Sequence, residues 1–190
     1  MTGLFDSITI RGLTLKNRLV MAPMATHMAT EDGEVTDKHI QHYMARAKGS
    51  VGLIIVEHTY VSEDGKMSRG QLGIYDDKLI AGFKRLTEAI HTHGAKVILQ
   101  ITHGGSRTTR EMTGKQPAGP WNIPVPGDAD TPRPLAIAEI EGIVKAFREA
   151  ARRAIAAGFD GAELHGAHGF LLCQFLSPWL TAGPMHMAEV

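Results

Sequence analysis

Short apolar segments alternate with longer amphipathic ones along most of the 190-residue chain. Four compact apolar runs predict buried strands at residues 19–23, 53–56, 96–101 and 161–164. Helical spacing of apolar residues, or helix start and stop signals, predicts helices at residues 36–48, 77–93 and 139–157. Before them, residues 4–16 hold two short β-like stretches around a turn and predict a hairpin.

The alternation of strand and helix predicts a parallel sheet with right-handed crossovers. Two architectures have this order, an open doubly wound sheet and a (β/α)8 barrel. A doubly wound nucleotide-binding sheet usually carries a glycine-rich phosphate loop after its first strand. Here residues 22–28 read APMATHM, without glycine. The pattern therefore favours the barrel.

Composition narrows the class of protein. Lys+Arg and Asp+Glu both number 20, so the formal net charge is zero. That balance argues against broad charge-driven binding to nucleic acid or to an anionic membrane surface. The single cysteine, Cys173, allows no internal disulfide, which is typical of a reducing compartment. With no signal-like N-terminus and no long apolar run, we expect a soluble cytoplasmic protein of one domain.

Polar residues follow three of the four predicted strands. These strand ends are Glu57-His58-Thr59, Gln100-Ile101-Thr102-His103 and Glu163-Leu164-His165. In a (β/α) barrel, reactive groups gather at the carboxyl ends of the strands. Gln100, with one amide donor and one acceptor, suits either a satisfied core position or the edge of a heterocycle. His58 and His103 are expected to be structural rather than metal ligands, and Cys173 to be a core residue.

His165 and His168 form the sharpest local feature of the chain. Histidines at positions i and i+3 in a turn after a strand can converge on one point. Two neutral imidazole N–H groups there could hold an oxyanion. The same pair could bind a metal together with Glu163 or His103, or it could only cap the turn. The residues alone leave these three interpretations open.

Four segments carry a resemblance to a known family. They are residues 15–24 (LKNRLVMAPM), 52–61 (GLIIVEHTYV), 97–107 (VILQITHGGSR) and 157–178 (AGFDGAELHGAHGFLLCQFLSP). In this order they resemble the old yellow enzyme family of FMN-dependent oxidoreductases, and the last segment is the most specific. The resemblance implies a (β/α)8 barrel with FMN at the carboxyl ends of the strands, NADH or NADPH as reductant, and no metal.

The resemblance also implies roles for individual cofactor-binding residues. Pro23, Met24 and Ala25 match the segment that runs along the flavin, largely through backbone groups. Gln100 matches the residue that hydrogen-bonds the pyrimidine edge of the flavin ring. His58 stands beside the flavin where family members often have a small residue, so it is expected to reshape the pocket or to alter the flavin potential.

On the substrate side, His165 and His168 match the pair that anchors a carbonyl or similar oxygen above the flavin. This match favours the oxyanion interpretation over the metal one. Many members carry a tyrosine two residues after the second histidine, as a proton donor to the substrate. Here that residue is Phe170, which has no proton to give. The lack of this proton donor therefore favours a dehydrogenase or demethylase-like reaction over olefin reduction.

The resemblance covers only the first part of a barrel. We expect about the first four β/α units plus the hairpin, an incomplete FMN-binding domain over residues 1–190, with an atypical tail at 179–190. The open edges of a half barrel predict self-association. Besides the oxidoreductase hypothesis, a catalytically inactive fragment or association module is the alternative, and a metal-dependent barrel enzyme ranks last.

Overall fold

The N-terminal hairpin forms as predicted. The computed structural model describes residues 3–124, 127 and 130–178. Within it, β1 (Ile8–Ile10) pairs antiparallel with β2 (Leu13–Leu15). The remaining elements, in chain order, are β3 (Val20–Met21), α1 (Asp37–Lys48), β4 (Leu53–Tyr60), α2 (Ile80–His91), β5 (Lys96–Thr102), α3 (Arg110–Thr113), β6 (Ala118–Gly119), β7 (Arg133–Pro134), α4 (Ile137–Ala156), β8 (Gly161–Leu164) and α5 (Leu171–Leu176).

A parallel sheet organises the described part of the chain. Its strand order is β3-β4-β5-β8, which follows the order of the strands in the sequence without a reversal. A doubly wound sheet reverses direction at a switch point, whereas a barrel adds each strand beside the previous one. The topology is therefore that of successive β/α units of a barrel.

The core lies between this sheet and the helices α1, α2 and α4. Alternate strand residues such as Ile54, Val56, Val97 and Leu99 are completely buried on that side. They pack against helix residues that are equally buried: Tyr43, Phe83, Leu86, Ile90, Ala150 and Ala154. Burying a large apolar side chain stabilises a fold by about 1.5–3 kcal/mol. This helix-covered face therefore supplies most of the stability.

The opposite face of the sheet is less covered. Leu53, Ile55 and Ile98 are only partly buried there, although their neighbours in the strands are fully buried. Among the described strands, β3 and β8 are the outer ones, and each carries an exposed apolar residue, Val20 and Leu164. In a closed barrel, one face of the sheet points inward and every strand is paired on both sides. The less covered face and the outer strands seen here are those expected of part of such a barrel.

A register shift in β4 changes how its residues are directed. The pairing of β4 with β5 is regular up to Val56 and resumes at Thr59. In between, Glu57 contacts Tyr43 of α1, whereas the ring of His58 lies near His165. Such irregularities re-aim side chains, often next to functional sites. The shift therefore gives two adjacent polar residues different partners.

The proline- and glycine-rich segment after β5 is ordered where the structure describes it. It contains α3 and the short parallel pair β6 and β7. The predicted tail at 179–190 lies outside the described residues. No helix in the described ranges combines the length and the apolar character needed to cross a membrane.

Candidate functional site

The carboxyl ends of β4, β5 and β8 bring several polar side chains together. Gln100 and Glu163 are register partners, and the Gln100 amide nitrogen donates to Glu163 Oε1 at 2.6 Å. Gln100 is 7% exposed, so this bond satisfies a nearly buried amide group. Its side-chain oxygen has no hydrogen-bond donor among the described residues. The amide nitrogen of Gln100 is therefore hydrogen-bonded, and its side-chain oxygen is available as an acceptor.

The two histidines of the turn after β8 lie against each other. His165 Nε2 is 3.2 Å from His168 Nδ1, with the ring centroids 5.0 Å apart. The main-chain N–H of His165 donates to Ile101, so the first histidine continues the sheet pairing. His168 has a left-handed backbone, with φ of 56°, and Gly169 follows at 69°. This tight turn places both imidazoles on one side of the strand end.

Hydrogen bonding identifies the proton on His165. The main-chain N–H of Ala167 donates to His165 Nδ1 at 3.2 Å, so Nδ1 must accept. In the neutral ring the proton is then on Nε2. Burial, and then the neighbouring His168, lower the pKa of His165 below 6.5. The ring is therefore neutral near pH 7 and presents an N–H donor.

His58 joins the same cluster from β4. Its ring lies 6.1 Å from that of His165 and 5.7 Å from that of Phe170. Phe170 is also 4.8 Å from His165, between centroids. Burial is the largest cause that lowers the pKa of His58 to about 4, and the next is His165. The structure thus gathers three imidazoles and one phenyl ring at the strand ends.

The segment with Pro23, Met24 and Ala25 follows β3 at the same edge of the sheet. Met24 is 66% exposed, and no hydrogen bond to the described residues engages the backbone N–H groups of Met24 or Ala25. The next residue, Thr26, is firmly held. Its main-chain N–H and hydroxyl donate to the Glu57 carboxylate at 2.8 and 2.6 Å. The segment is therefore anchored at one end and open along its length.

Glu57 is a buried carboxylate that sequence reasoning did not assign to this role. It is 1% exposed and also accepts a bond from the Tyr43 hydroxyl at 3.2 Å. Burial, and then Glu57, raise the pKa of Tyr43 well above its usual range, so the phenol remains a donor. His39 Nε2 lies 3.7 Å from the carboxylate. A signal was present, because an acidic residue directly follows a strongly apolar strand.

The metal interpretation receives no support from the geometry. Within residues 3–124, 127 and 130–178, no three His, Cys, Asp or Glu side chains are grouped so that they could hold a metal ion. Glu163 is bonded to Gln100, and His103 lies away from the pair with Nε2 3.6 Å from Asp64. Cys173 is half-buried on α5.

Two further residues near the cluster were not anticipated. Gln71 donates to His58 Nδ1 at 2.8 Å, and Arg107 donates to the main-chain oxygen of His168 at 3.1 Å. Both come from connecting segments, and they are 13 and 61 residues away from their partners. Contacts across such loops have no periodicity that a sequence pattern could reveal.

Known proteins are similar to this chain over nearly its whole length. The chain is 50% identical over 178 residues to an NADH oxidase from Thermoanaerobacter brockii, which covers 93% of this chain and 27% of the relative. It is 46% identical to an NADPH dehydrogenase from Geobacillus sp. (strain WCH70), over 93% of this chain and 52% of that protein. The chain thus spans about half the length, or less, of these curated relatives.

Solved structures agree with the sequence relatives. Morphinone reductase superposes with a TM-score of 0.88 at 34% identity, over 94% of this chain and 51% of that one. An old yellow enzyme homologue from Zymomonas mobilis gives 0.86 at 33% identity, over 92% and 51%. One morphinone reductase structure is a complex with tetrahydroNAD. The fold is accordingly that of old yellow enzyme barrels, of which this chain supplies about half.

A family model matches residues 3–182 and carries the description NADH:flavin oxidoreductase / NADH oxidase. FMN is the cofactor of this family, and NADH or NADPH is its reductant. The clustered strand ends, the barrel topology and these similarities agree. The chain belongs to the NADH:flavin oxidoreductase / NADH oxidase family, the family of the old yellow enzymes.

Proposed function

We propose that this chain forms the flavin- and substrate-binding part of an FMN-dependent NAD(P)H oxidoreductase. The transfer is of hydride, to or from a small organic substrate with a carbonyl or similar oxygen. The observation that carries the proposal is the cluster at the strand ends, where Gln100 and the His165–His168 pair lie on one side of the sheet. Reactive groups of a barrel are found at that edge.

The residues present fit the cofactor. A flavin ring offers N–H and carbonyl groups along its pyrimidine edge. The open acceptor of Gln100 suits such an N–H, and its amide nitrogen is oriented by Glu163. The free backbone N–H groups of Met24 and Ala25, and the Pro23 ring beside them, offer a surface along which the flavin would lie. His58 would border it from β4.

When bound, FMN would supply the redox chemistry, because it accepts hydride equivalents from NADH or NADPH and returns them to an acceptor. The protein orients and polarises the substrate. His165 Nε2–H is directed at His168 Nδ1. With substrate bound, this N–H would donate to the substrate oxygen. His168 contributes a second N–H once its proton is on the nitrogen that faces the oxygen. Neutral donors stabilise negative charge that develops on such an oxygen.

Phe170 limits the direction of the reaction. Its ring stands 4.8 Å from His165, where a tyrosine hydroxyl would reach the substrate. A phenyl ring supplies no proton, so reduction of an olefin needs a proton from water or from another residue. Dehydrogenation or demethylation needs no such donor in the forward direction. We therefore favour, over an ene-reductase reaction, a dehydrogenase-type one in which the substrate gives hydride to FMN and NAD⁺ or NADP⁺ accepts it from the flavin.

The second candidate function, an association module without catalysis, is favoured by one observation. Among the described residues, β3 and β8 are the outer strands of the parallel sheet, and each carries an exposed apolar residue. Unpaired strand edges are templates for pairing with another chain. Flavin retention separates the two functions, because a module that only associates has no reason to hold FMN.

The test is the visible absorption spectrum of the purified chain after incubation with FMN and desalting. We expect a retained flavin band that NADPH or NADH bleaches without oxygen. Gln100→Leu should weaken retention about tenfold, through loss of one polar contact and a stranded Glu163 carboxylate. Glu88→Gln, on the exposed side of α2, is the matched control and should bind as the wild type does. A colourless wild-type protein would reject the proposal for this chain.

A further inference from the structure

His58 is held in one orientation by a buried amide. Gln71 is 2% exposed, and its side-chain oxygen accepts the main-chain N–H of Met67 at 2.8 Å. That bond identifies the oxygen and the nitrogen of the Gln71 side-chain amide. Its nitrogen then donates to His58 Nδ1 at 2.8 Å, with the main-chain oxygen of His58 3.4 Å away. Gln71 therefore acts as a fixed donor to one nitrogen of the imidazole.

This contact determines the protonation of His58. Because Nδ1 accepts from Gln71, it carries no proton, and the neutral ring has its proton on Nε2. A doubly protonated ring would direct an N–H at the amide N–H of Gln71. Burial acts in the same sense, since it lowers the pKa of His58 to about 4. At neutral pH His58 is thus an uncharged donor through Nε2.

The free side of the ring faces the substrate cluster. The ring packs at 5.7 Å from Phe170 and 6.1 Å from His165, between centroids. Among the described residues, His58 Nε2 has no hydrogen-bond partner. Gln71 occupies the other ring nitrogen, Nδ1. The group that the His58 side chain has left to offer is therefore the Nε2–H donor of a ring that packs against Phe170 and His165.

We propose that His58 is a specificity-determining residue whose Nε2–H binds a second acceptor oxygen of the substrate, while His165 and His168 bind the first. The substrate class is then a small neutral molecule with two acceptor oxygens, such as an imide, a lactone or a 1,3-dicarbonyl compound. Gln71 is a positioning residue that acts through His58. This inference rests on the proposed function of the same site.

The charges around the pocket favour a neutral substrate. The carboxylate of Glu163 is engaged by the Gln100 amide, and the guanidinium of Arg107 donates to the His168 main-chain oxygen. These two formal charges are opposite. His58 and His165 add none, because burial lowers the pKa of both imidazoles. Glu163, Arg107, His58 and His165 together therefore supply no net positive charge to offset the desolvation of a carboxylate.

Two inert five-membered rings measure the effect of the second oxygen. Succinimide has two carbonyl groups and 2-pyrrolidinone has one, and both perturb the spectrum of a bound flavin when they bind near it. With the FMN-loaded chain, we expect succinimide to bind about three- to tenfold more tightly, the contribution of one hydrogen bond. Acetate serves as the anionic probe and is expected to bind more weakly than either.

Two variants test whether His58 supplies that bond. His58→Phe keeps an aromatic ring without an N–H, so the preference for succinimide should fall to about onefold. His58→Gln keeps a side-chain N–H and should restore part of it, which a purely structural role would not predict. Equal preference in the wild type and in a folded, FMN-binding His58→Phe protein overturns the inference and leaves the proposed function standing.

A flavin-free measurement decides the inference if the chain retains no FMN, which would be a failure of the proposed function. Nitrogen-detected NMR of the histidine rings at pH 7 reports the protonated nitrogen directly. We expect the His58 ring to be neutral and protonated at Nε2, and Gln71→Glu to move the proton to Nδ1 because a carboxylate accepts there. A wild-type ring that is protonated at Nδ1, or charged, overturns the inference.

Discussion

Acid should destabilise this protein through His58 as the pH falls from 6.5 towards 4. The ordinary pKa of histidine is 6.5, and burial lowers that of His58 to about 4. Above pH 6.5 the ring is neutral in both the folded and the unfolded chain. As the pH falls from 6.5 to 4, the unfolded chain takes up a proton that the folded chain does not. The free energy of unfolding therefore decreases through this window.

The size of the effect follows from the two pKa values. At about 1.4 kcal/mol per pH unit, the difference between 6.5 and about 4 corresponds to about 3 kcal/mol. Burial also lowers the pKa of His39 and His165, so these residues add to the loss with the same sign. Among the carboxylates, Arg133 lowers the pKa of Glu139 to about 2, and its contribution is lost only at lower pH.

Urea unfolding followed by far-UV circular dichroism at pH 7.5, 6, 5 and 4 measures this loss. In His58→Phe the pH dependence should be about 3 kcal/mol smaller than in the wild type, whatever the absolute stability of the variant. Gln71→Leu is the matched control. It removes the hydrogen bond but leaves His58 buried, so most of the pH dependence should persist. Parallel curves for wild type and His58→Phe would refute the reasoning.

Three other predictions follow from the structure. Gly33→Ala should lower the free energy of unfolding by about 3 kcal/mol, because φ is +83° and a Cβ would lie 2.6 Å from the Tyr60 hydroxyl. Gly94→Ala, at φ +67° with no atom within 4 Å, should cost about 1 kcal/mol, and an equal loss would contradict the steric argument. Phe170→Tyr should speed reduction of cyclohex-2-enone by the FMN-loaded chain at least tenfold, since it adds a proton donor, and an unchanged rate would count against that role. Light scattering should give a mass above 20.6 kDa, because β3 and β8 are open; a stable monomer would contradict this.

The strands and helices of the described chain were largely predictable, for a physical reason. A parallel strand covered by helices is rich in apolar residues, and β5 fits that pattern with four apolar residues among its seven. The ends of a strand were predicted less well where the strand contains polar side chains. The apolar pattern of β4 stops at Val56, yet the strand continues to Tyr60. Pairing with β5 resumes at Thr59 and Tyr60, after a register shift that leaves Glu57 and His58 without partners in β5.

The candidate site was predictable only in part. The common edge of His58, Gln100 and His165 was predictable, because strands of one parallel sheet end at the same edge. Their roles stay predictions, and that of His58 came from the family resemblance alone. The contacts that orient them were not found, because Gln71 and Arg107 reach the cluster from loops. Pattern reasoning locates residues that an element carries at a fixed position. It does not locate residues that reach the site only through tertiary contacts. Gln71 is such a residue, and its hydrogen bond determines which nitrogen of His58 is the donor.

The register shift in β4 connects the stability of this protein to its site. On the helix-covered side, Glu57 contacts Tyr43 and holds Thr26, next to the segment that we propose lies along the flavin. On the less covered side, His58 accepts a hydrogen bond from Gln71 and lies near His165. A change that restored regular pairing in β4 would disturb both adjacent residues at once. Substitutions in the remaining apolar core should therefore affect stability alone, whereas those in residues 57–58 should affect stability and binding together.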